Sequence, residues 1–354
     1  MISSPCLANM IQICDYRITY CMNFEDIKNQ LIEVQSSWVI TGVAGFIGSN
    51  LLEFLLKNNQ LVVGVDNFST GFQHNLDKVQ KEVGSKLWSN FDFREGDIRD
   101  IDFLKNSITP KTYVLHQAAL GSVPRSIDDP LTTNSVNIDG FLNVLRVCSE
   151  VQAKGLVYAA SSSTYGDHTS LPKREEVTGN PLSPYAVTKL VNELYADVFY
   201  RCYGLSSVGL RYFNVFGKRQ NPDGAYAAVI PLWIDNAIKG NNIAINGDGS
   251  TSRDFCFIEN VIRANILAAV QPKKGHDVYN VAFGERTSLL DLANMISGIV
   301  NNTKIEIEFR DFRVGDVKHS LADISKIEND LNYRPEYSMS SGLVDTIAWY
   351  QNEI

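Results

Sequence analysis

The stretch Trp38-Val39-Ile40-Thr41-Gly42-Val43-Ala44-Gly45-Phe46-Ile47-Gly48 decides the fold. Its apolar start, Trp38 to Ile40, predicts a buried first strand. Gly42, Gly45 and Gly48 follow at a spacing of three, and Ser49 to Lys57 carries apolar residues at helical spacing. Strand, glycine-rich turn and helix together form the setting in which such glycines carry meaning. Without side chains the backbone turns tightly and lets a pyrophosphate come close. The amides of the first helical turn, here Phe46, Ile47 and Gly48, then hold the anion together with the positive helix end.

The next apolar run, Leu61 to Val65, ends at Asp66. A carboxylate there accepts hydrogen bonds from both ribose hydroxyls of NAD and repels the 2′-phosphate of NADP. The polar loop Asn67-Phe68-Ser69-Thr70-Gly71 is placed to touch the adenosine ribose through Asn67, Ser69, Thr70 and Gly71. A polar, mixed stretch runs on to Asn90. Asp92 to Ile98 predicts a third strand, with Asp97 as acceptor for the adenine amino group and Ile98 beside it. A plain turn acid is the other reading of Asp97. Tyr113 to His116 predicts a fourth strand, and the small residues of Gln117-Ala118-Ala119 leave room for a cofactor.

Further along, Asp129 to Val151 predicts one long helix, Gly155 to Ala160 a fifth strand and Leu205 to Arg211 a sixth. Alternating strands and helices imply a parallel sheet covered on both faces, with ligands beyond the carboxyl ends of its strands. After residue 211 the segments shorten. Helices are expected near Tyr226–Lys239, Ile258–Val270, Leu289–Val300 and Ser341–Tyr350, with strands near Ala244 and at Val278–Val281. The division expected is an extension (1–35), a nucleotide-binding domain (36–211) and a smaller substrate domain (212–354) that partly returns to the first sheet. Within the extension, MNFEDIKNQLIEV from Met22 reads as a short amphipathic helix. Met1 to Cys21 lacks periodicity and the marks of a signal peptide, and is expected to be poorly ordered and dispensable.

Composition narrows the function. The 354 residues carry a formal charge of −8 and are 44% hydrophobic. No basic stripe with interleaved aromatics suggests nucleic acid. No run of about 18 apolar residues suggests a membrane span. The six cysteines and five histidines are scattered, which fits a reducing cytosol and argues against a metal site.

Strand five runs into Ser161-Ser162-Ser163-Thr164-Tyr165-Gly166-Asp167, and Pro184-Tyr185-Ala186-Val187-Thr188-Lys189 follows. Pro184 suits a first helical turn. Tyr185 and Lys189, four apart, share one helix face. An ammonium beside a phenol favours the phenolate, so Lys189 is expected to lower the pKa of Tyr185 and make it a general base. A serine hydroxyl from the strand end would hold the reacting oxygen in line.

TGVAGFIG, the strand-ending aspartate, SSSTYGD and PYAVTK together resemble the extended short-chain dehydrogenase/reductases. Within them HQAALGSVPRS, GLRYFNVFG, NGDGSTSRDF and GDVKHSLAD resemble the UDP-hexose 4-epimerases, and most of all bacterial ones preferring UDP-N-acetylglucosamine and UDP-N-acetylgalactosamine. The resemblance runs from about residue 36 to the end. It implies a doubly wound α/β sheet of Rossmann type, bound NAD, a UDP-sugar substrate, a homodimer built on helices near Asp129–Val151 and Tyr185–Tyr203, and a cytoplasmic enzyme for surface-polysaccharide precursors. It implies that Tyr185 takes the proton from sugar O4 while C4 is oxidised, and that the 4-keto sugar turns over before reduction from its other face.

The same resemblance distributes roles. Ser161 becomes the catalytic hydroxyl, and Ser162 and Ser163 line the sugar with Gly121 and Ser122. Lys189 also holds the nicotinamide ribose. Tyr212 lies on the cofactor side and Asn214 on the substrate side. Arg253 and Arg313 bind the diphosphate, where a guanidinium fork fits. Asp316 meets the uridine ribose, and Ala244 and Asn246 flank the uracil. Ser320 stands where enzymes restricted to UDP-galactose carry a large aromatic gate. Ala228, beside Val229, stands where they carry a longer polar side chain. Both changes open space for a 2-acetamido group. A nucleotide-sugar 4,6-dehydratase would need an Asp-Glu pair where Ser162-Ser163 stand. A non-catalytic NAD sensor would have no use for Tyr185 and Lys189.

Overall fold

The computed structural model describes residues 22–223, 227–271, 274–300, 305–311 and 318–353. The expectation for Met1 to Cys21 lies outside the described residues. Seven parallel strands form the central sheet: β1 (Ser37–Thr41), β2 (Leu61–Asp66), β3 (Phe91–Glu95), β4 (Tyr113–His116), β5 (Gly155–Ser161), β6 (Ser207–Tyr212) and a later edge strand at His276–Val281. Their spatial order is His276–Val281, β6, β5, β4, β1, β2, β3. The chain therefore leaves β1 in one direction for β2 and β3, and returns beside β1 as β4. At that switch point the crossing connections diverge and leave a crevice above the strand ends.

Side-chain alternation gives the sheet its two cores. Trp38 and Ile40 of β1 face one apolar cluster and Val39 faces the other. The first cluster lies under α1 (Phe24–Glu33), α2 (Phe46–Lys57) and α3 (Gln73–Trp88). The second lies under α4 (Ile101–Ser107) and two later helices, Gly140–Glu150 and Pro184–Tyr203. Both faces are covered, which is why the strands read as continuous apolar runs rather than alternating ones.

Two regions depart from the sequence reading. The polar stretch before Asn90 is the helix α3, which buries Asn75, Leu76 and Val79 and is broken at Gly84 by a φ of 76°. Its few apolar positions were too sparse to show a period. The helix expected from Asp129 to Val151 is present as one uninterrupted helical run from Pro130 to Glu150, with a π-helical turn inside it. Here α5 (Val123–Asp128) and α6 (Pro130–Asn134) lead into a π-helical turn, Ser135–Asp139, and then α7 (Gly140–Glu150). Asp129 ends one helix and caps the next, its carboxylate accepting the Thr132 amide at 3.0 Å ahead of Pro130. The third strand is also shorter than expected, ending at Glu95 rather than Ile98.

The catalytic-motif helix α8 (Pro184–Tyr203) is bounded as its sequence dictates. Ser183 caps it by accepting the Ala186 amide, Pro184 fills the first turn, and Gly204 ends it in the left-handed region. After β6 come β7 (Val215–Phe216), α9 (Val229–Ile238), β8 (Ile243–Asn246), β9 (Ser252–Arg253), β10 (Cys256–Phe257) and α10 (Ile258–Val270). Next are β11 (His276–Val281), β12 (Thr287–Ser288), α11 (Leu289–Val300), β13 (Ile307–Arg310), α12 (Ser325–Leu331) and α13 (Met339–Glu353). β11 pairs with β6 through six residues, and α10 joins the core under α2. The small parallel pair β8–β13 stands apart from the main sheet.

A buried ion cluster fastens this later part of the chain to α2. Arg219, with only 1% of its side chain exposed, donates to Glu53 Oε2 at 2.7 Å, Asn50 Oδ1 at 2.8 Å and Ser49 Oγ at 3.1 Å. Lys218 and Lys57 both reach Glu53 Oε1. Burial alone would raise the pKa of Glu53, but the charges of Arg219 and Lys218 and the lysine hydrogen bonds overcome it and bring it down to about 2. Removing the charge leaves Arg219 buried and unpaired, so Glu53→Gln is expected to cost about 3–5 kcal/mol in urea unfolding. Because the folded pKa lies below the ordinary 4.5, this stabilisation is complete above pH 4.5 and is lost as pH falls through about 2. The Glu53→Gln variant should lack that part of the acid limb in a plot of Tm against pH.

Candidate active site

The crevice at the switch point starts from two steric facts. Gly42 has a φ of 72°, and a Cβ there would lie 2.7 Å from the Ala118 nitrogen. A Cβ on Gly48 would meet the Gly42 carbonyl oxygen at 2.0 Å. Only glycine lets the β1–α2 turn approach both β4 and its own helix. Gly45 lines the crevice and precedes α2 with no side-chain cap, so the amides of the first turn are left for another acceptor.

The groove is walled by Gly42, Gly45, Asp66, Asn67, Ser69, Thr70, Gly71, Asp97, Ile98, Gln117, Ala118 and Ala119. These residues come from the ends of four strands and were expected there from sequence; Val65, Gly96 and Val136 line the groove without having been named, and the expected Phe46, Ile47, Gly48 and Tyr212 are not among its lining. Asp66 does more than face the groove. Its Oδ2 accepts the Ala44 amide at 2.9 Å and its Oδ1 the Phe68 amide at 2.8 Å, so it also shapes the glycine turn. Burial raises its pKa and these amides oppose the rise. Each carboxylate oxygen keeps a lone pair for a ribose hydroxyl. Asp97 is held by Arg99 at 2.7 Å and 3.0 Å and by Asn67 at 2.9 Å, and the Arg99 hydrogen bonds keep it well ionised. Tyr212, at the end of β6, donates to Gln117 Oε1 at 3.1 Å and accepts from Asn265 Nδ2 at 2.9 Å, and so braces one groove wall.

Beyond the groove lie the groups expected from sequence to transfer the proton. Ser161 ends β5 and caps a short turn, Ser162–Tyr165, by accepting the Ser163 amide. The Ser163 hydroxyl donates to Ser161 Oγ at 2.9 Å. Tyr185 enters from the first turn of α8, near enough for the Ser161 hydroxyl to act on its pKa. Lys189, one turn on, donates to the Ala159 carbonyl at 2.7 Å and lies 5.9 Å from the centre of the Tyr185 ring. The expected lowering of the Tyr185 pKa by Lys189 is not found. Burial raises it, with the Ser161 hydrogen bond acting against the rise. Lys189 itself is brought down to about 8 by burial, with Glu193 opposing. Lys189 is spent on a backbone carbonyl, and its charge is not among the influences that set the Tyr185 pKa.

Two cavities continue from these groups. One, of about 650 Å³, is lined by Ser161, Ser162, Ser163, Asn214, Arg253 and Ser320, among others. The second, of about 470 Å³, is lined by Asn214, Val229, Ala244, Asn246, Arg253 and Trp233, among others. Asn214 and Arg253 border both, so the two form one path. Three expected residues are placed differently. Ala228 is the cap residue before α9 and does not line the path; its neighbours Ala227 and Val229 do. Ser122 caps α5 by accepting the Arg125 amide, and it is Val123 that reaches the cavity. Gly121 faces open space instead. Turning at a cap points the flanking side chains inward, which a linear reading does not show. Arg313 and Asp316 lie outside the described residues.

The sequence reading missed three polar residues that hold the site. Asn137, in the π-helical turn, accepts the Leu120 amide at 2.8 Å and donates to Thr188 Oγ1 at 3.1 Å. It ties the loop after β4 to the helix that carries Tyr185 and Lys189. Asn265 of α10 donates to Tyr212 Oη at 2.9 Å. Asp254, fully buried, accepts amides from Phe283, Gly284 and Ala322 and so fixes the segment bearing Ser320. Burial pushes its pKa up to about 7 against those three bonds. A lone Asn or Asp inside an apolar run was the available signal, and by itself it names no partner.

A model of the NAD-dependent epimerase/dehydratase family matches residues 38–282. The chain belongs to this family. Over 321 residues it is 33% identical to a putative UDP-glucose 4-epimerase of Methanocaldococcus jannaschii, covering 89% of this chain and 98% of that one. It is 35% identical over 323 residues to a UDP-glucuronate 4-epimerase of Thermodesulfobacterium geofontis, covering 90% and 97%. Among solved structures, a UDP-N-acetylglucosamine 4-epimerase of Methanobrevibacter ruminantium, in complex with UDP-N-acetylmuramic acid, superposes with a TM-score of 0.84. That enzyme is 37% identical, and the match covers 90% of this chain and 99% of the other. The NAD complex of the Thermus thermophilus UDP-glucose 4-epimerase superposes with a TM-score of 0.78 at 29% identity, over 90% and 100% of the two chains. The protein is thus an NAD-dependent enzyme of the UDP-sugar 4-epimerase group.

For this epimerase, Tyr185→Phe should still bind NAD, because the groove does not depend on the phenol oxygen. Its turnover should fall at least about a hundredfold, the lower range for a lost general base. Single-turnover kinetics with NAD binding measured alongside checks both halves, and near-normal turnover would remove Tyr185 from the reaction.

Proposed function

We propose that the protein interconverts UDP-N-acetylglucosamine and UDP-N-acetylgalactosamine, acting more weakly on UDP-glucose and UDP-galactose, for surface-polysaccharide precursors. The observation that carries the preference is Ser320. It lines the larger cavity with Ser161, Ser162 and Ser163, and its short side chain leaves room for an acetamido group. Asn214 and Ser162 offer polar partners for that amide. The M. ruminantium enzyme supports the same reading by its name and similarity.

The glycine turn, the first-turn amides of α2 and Asp66 fit a dinucleotide, since Cβ atoms at Gly42 and Gly48 would fill its cradle. Bound NAD supplies a reversible acceptor for the hydride from sugar C4. Tyr185 takes the O4 proton and later returns it, so it ends each cycle as it began. Ser161, beside Tyr185, orients the reacting oxygen. Lys189, anchored on Ala159, adds positive charge beside the ring as the phenolate forms. Arg253 stands where the two cavities meet, a place suited to the diphosphate, with Ala244 and Asn246 toward the base. A cavity of about 650 Å³ lets the 4-keto sugar turn while the nucleotide stays fixed. On this reading residues 36–211 hold the cofactor and 212–354 hold the nucleotide sugar, with β11 completing the first sheet. Ser162 and Ser163 occupy the places where a dehydratase would need an acid and a base, and Tyr185 with Lys189 speaks against a sensor.

We further infer a homodimer. The outer faces of α5, α6 and α8 expose Ile127, Leu131, Val187, Leu194, Val198 and Tyr203, and Leu131 is 82% exposed. Two copies could bury these faces against each other in a helical bundle. Among the described residues no helix is long and apolar enough to cross a membrane. A double substitution, Leu131→Glu with Leu194→Glu, is expected to convert the dimer to monomers in analytical ultracentrifugation. Wild type sedimenting as a monomer would overturn the interface.

The substrate preference is tested by Ser320→Tyr. A ring placed in this packed wall should overlap the acetamido group at a cost of about 1–3 kcal/mol. The corresponding drop in kcat/KM for UDP-N-acetylglucosamine is roughly five- to 150-fold, with UDP-glucose largely spared. Equal losses on both sugars would signify general damage, and an unchanged preference would place Ser320 away from the acetamido group.

A further inference from the structure

Two walls of the groove meet at Ala44, which is not itself among the lining residues. Gly42 and Gly45 bring the β1–α2 turn to one side, and Asn67, Ser69, Thr70 and Gly71 bring the loop after β2 to another. Ala44 lies between them, fully buried. Its amide donates to Asp66 Oδ2 at 2.9 Å. Its carbonyl accepts the Phe72 amide at 3.0 Å and Asn75 Nδ2 at 2.9 Å. The two segments are in close contact as well: a Cβ on Gly71 would lie 2.9 Å from the Ala44 Cβ. Phe72 is the cap residue before α3, and Asn75 sits in its first turn. The start of α3 is thereby tied to the glycine turn.

Asn75 makes this tie at the expense of the core around it. It is 1% exposed, and its Oδ1 is buried without a hydrogen-bond partner among the described residues. Turning the amide over would set Oδ1 against the Ala44 carbonyl, so the paired end is the donor. An unpaired acceptor in an apolar interior opposes folding. A leucine of similar size would carry none, and the Ala44 carbonyl would keep the Phe72 amide. Stability therefore does not account for an amide at this position. The hydrogen bond of its side chain goes to the turn that shapes the groove. The reaction proposed above returns to the sugar what it takes from it, so the protein stays active only while its cofactor stays in place through both halves of a cycle. A tie made outside the groove serves that need, because it resists the parting of two walls and takes up no space between them. Asp66 and Phe72 join the same walls, but Asp66 faces the groove itself and Phe72 bonds through its backbone.

We propose that Asn75 is a positioning residue that keeps NAD in the protein between cycles, by clamping the loop after β2 against the glycine turn. This rests on the reading that the groove is the cofactor site. The experiment loads wild type, Asn75→Leu and Asn75→Asp with NAD, removes the free cofactor and follows release of the bound NAD with time. Tm and calorimetric affinity for UDP are measured on the same samples. Asn75→Leu should have a Tm no lower than wild type, yet release NAD about tenfold faster, the size expected for one lost hydrogen bond. Asn75→Asp keeps the shape, loses the donor and sets a charge beside the Ala44 carbonyl, and should release NAD faster still. Affinity for UDP, which on the reading above lies in the path beyond the groove, should be unchanged in both. Turnover lost on dilution of either variant should return when NAD is added. Release from Asn75→Leu no faster than from wild type would overturn the proposal. So would faster release accompanied by an equal loss of UDP affinity and a lower Tm, which marks Asn75 as a support of the whole fold. Gly42→Ala tests the premise separately. With a Cβ set against Ala118 it should not take up NAD, and normal uptake would place the cofactor elsewhere and remove the clamp with it.

Discussion

The structure depends on how closely one backbone turn approaches another. At Gly42 the β1–α2 turn passes so near the start of the loop after β4 that a single added carbon would collide with Ala118. At Gly48 the helix begins so tightly that a side chain would strike the Gly42 carbonyl. These contacts place the open amides of α2 above the sheet at its switch point, where an anion can use them. Asp66 secures the same turn from β2 through the Ala44 and Phe68 amides. One carboxylate thus shapes the cradle and faces its contents, so a substitution there acts on both.

From that point outward, polar groups in apolar surroundings fix positions that apolar packing alone would leave loose. Glu53, Arg219 and Lys218 lock the later chain onto α2. Asn137 uses a π-helical turn to bind the loop after β4 to the base of α8. Asp254 gathers three amides and so sets the height of Ser320 in the cavity wall. Each is satisfied in full view of a low-dielectric interior, where a missing partner would be costly. Of the groups expected to move protons, Tyr185 has its pKa raised mainly by burial, and Ser161 accepts the amide and hydroxyl of Ser163.

Much of this was legible in the chain. The apolar runs, the glycine spacing and Asp66 pointed to the sheet and the groove, and the Tyr185–Lys189 pair to candidate reacting groups, because each rests on local geometry: a strand end, a helix turn, a spacing of four. The expected groove residues Asn67 to Gly71 and Gln117 to Ala119 lie where strand ends must put them. What could not be read locally was decided by packing. The helix α3 is stabilised by a few buried contacts rather than by a period. The π-helical turn between α6 and α7 carries Asn137, whose bonds reach the loop after β4 and Thr188. Cap geometry turns Val123 and Ala227 into the cavity in place of Ser122 and Ala228. The pKa values of Tyr185 and Lys189 follow from burial, which a sequence does not state. The chain by itself determined which elements form and which residues can react, since those depend on neighbours in sequence. Tertiary structure decided which side chains share a cavity and how strongly each holds its proton, since those depend on distances between segments far apart in the chain.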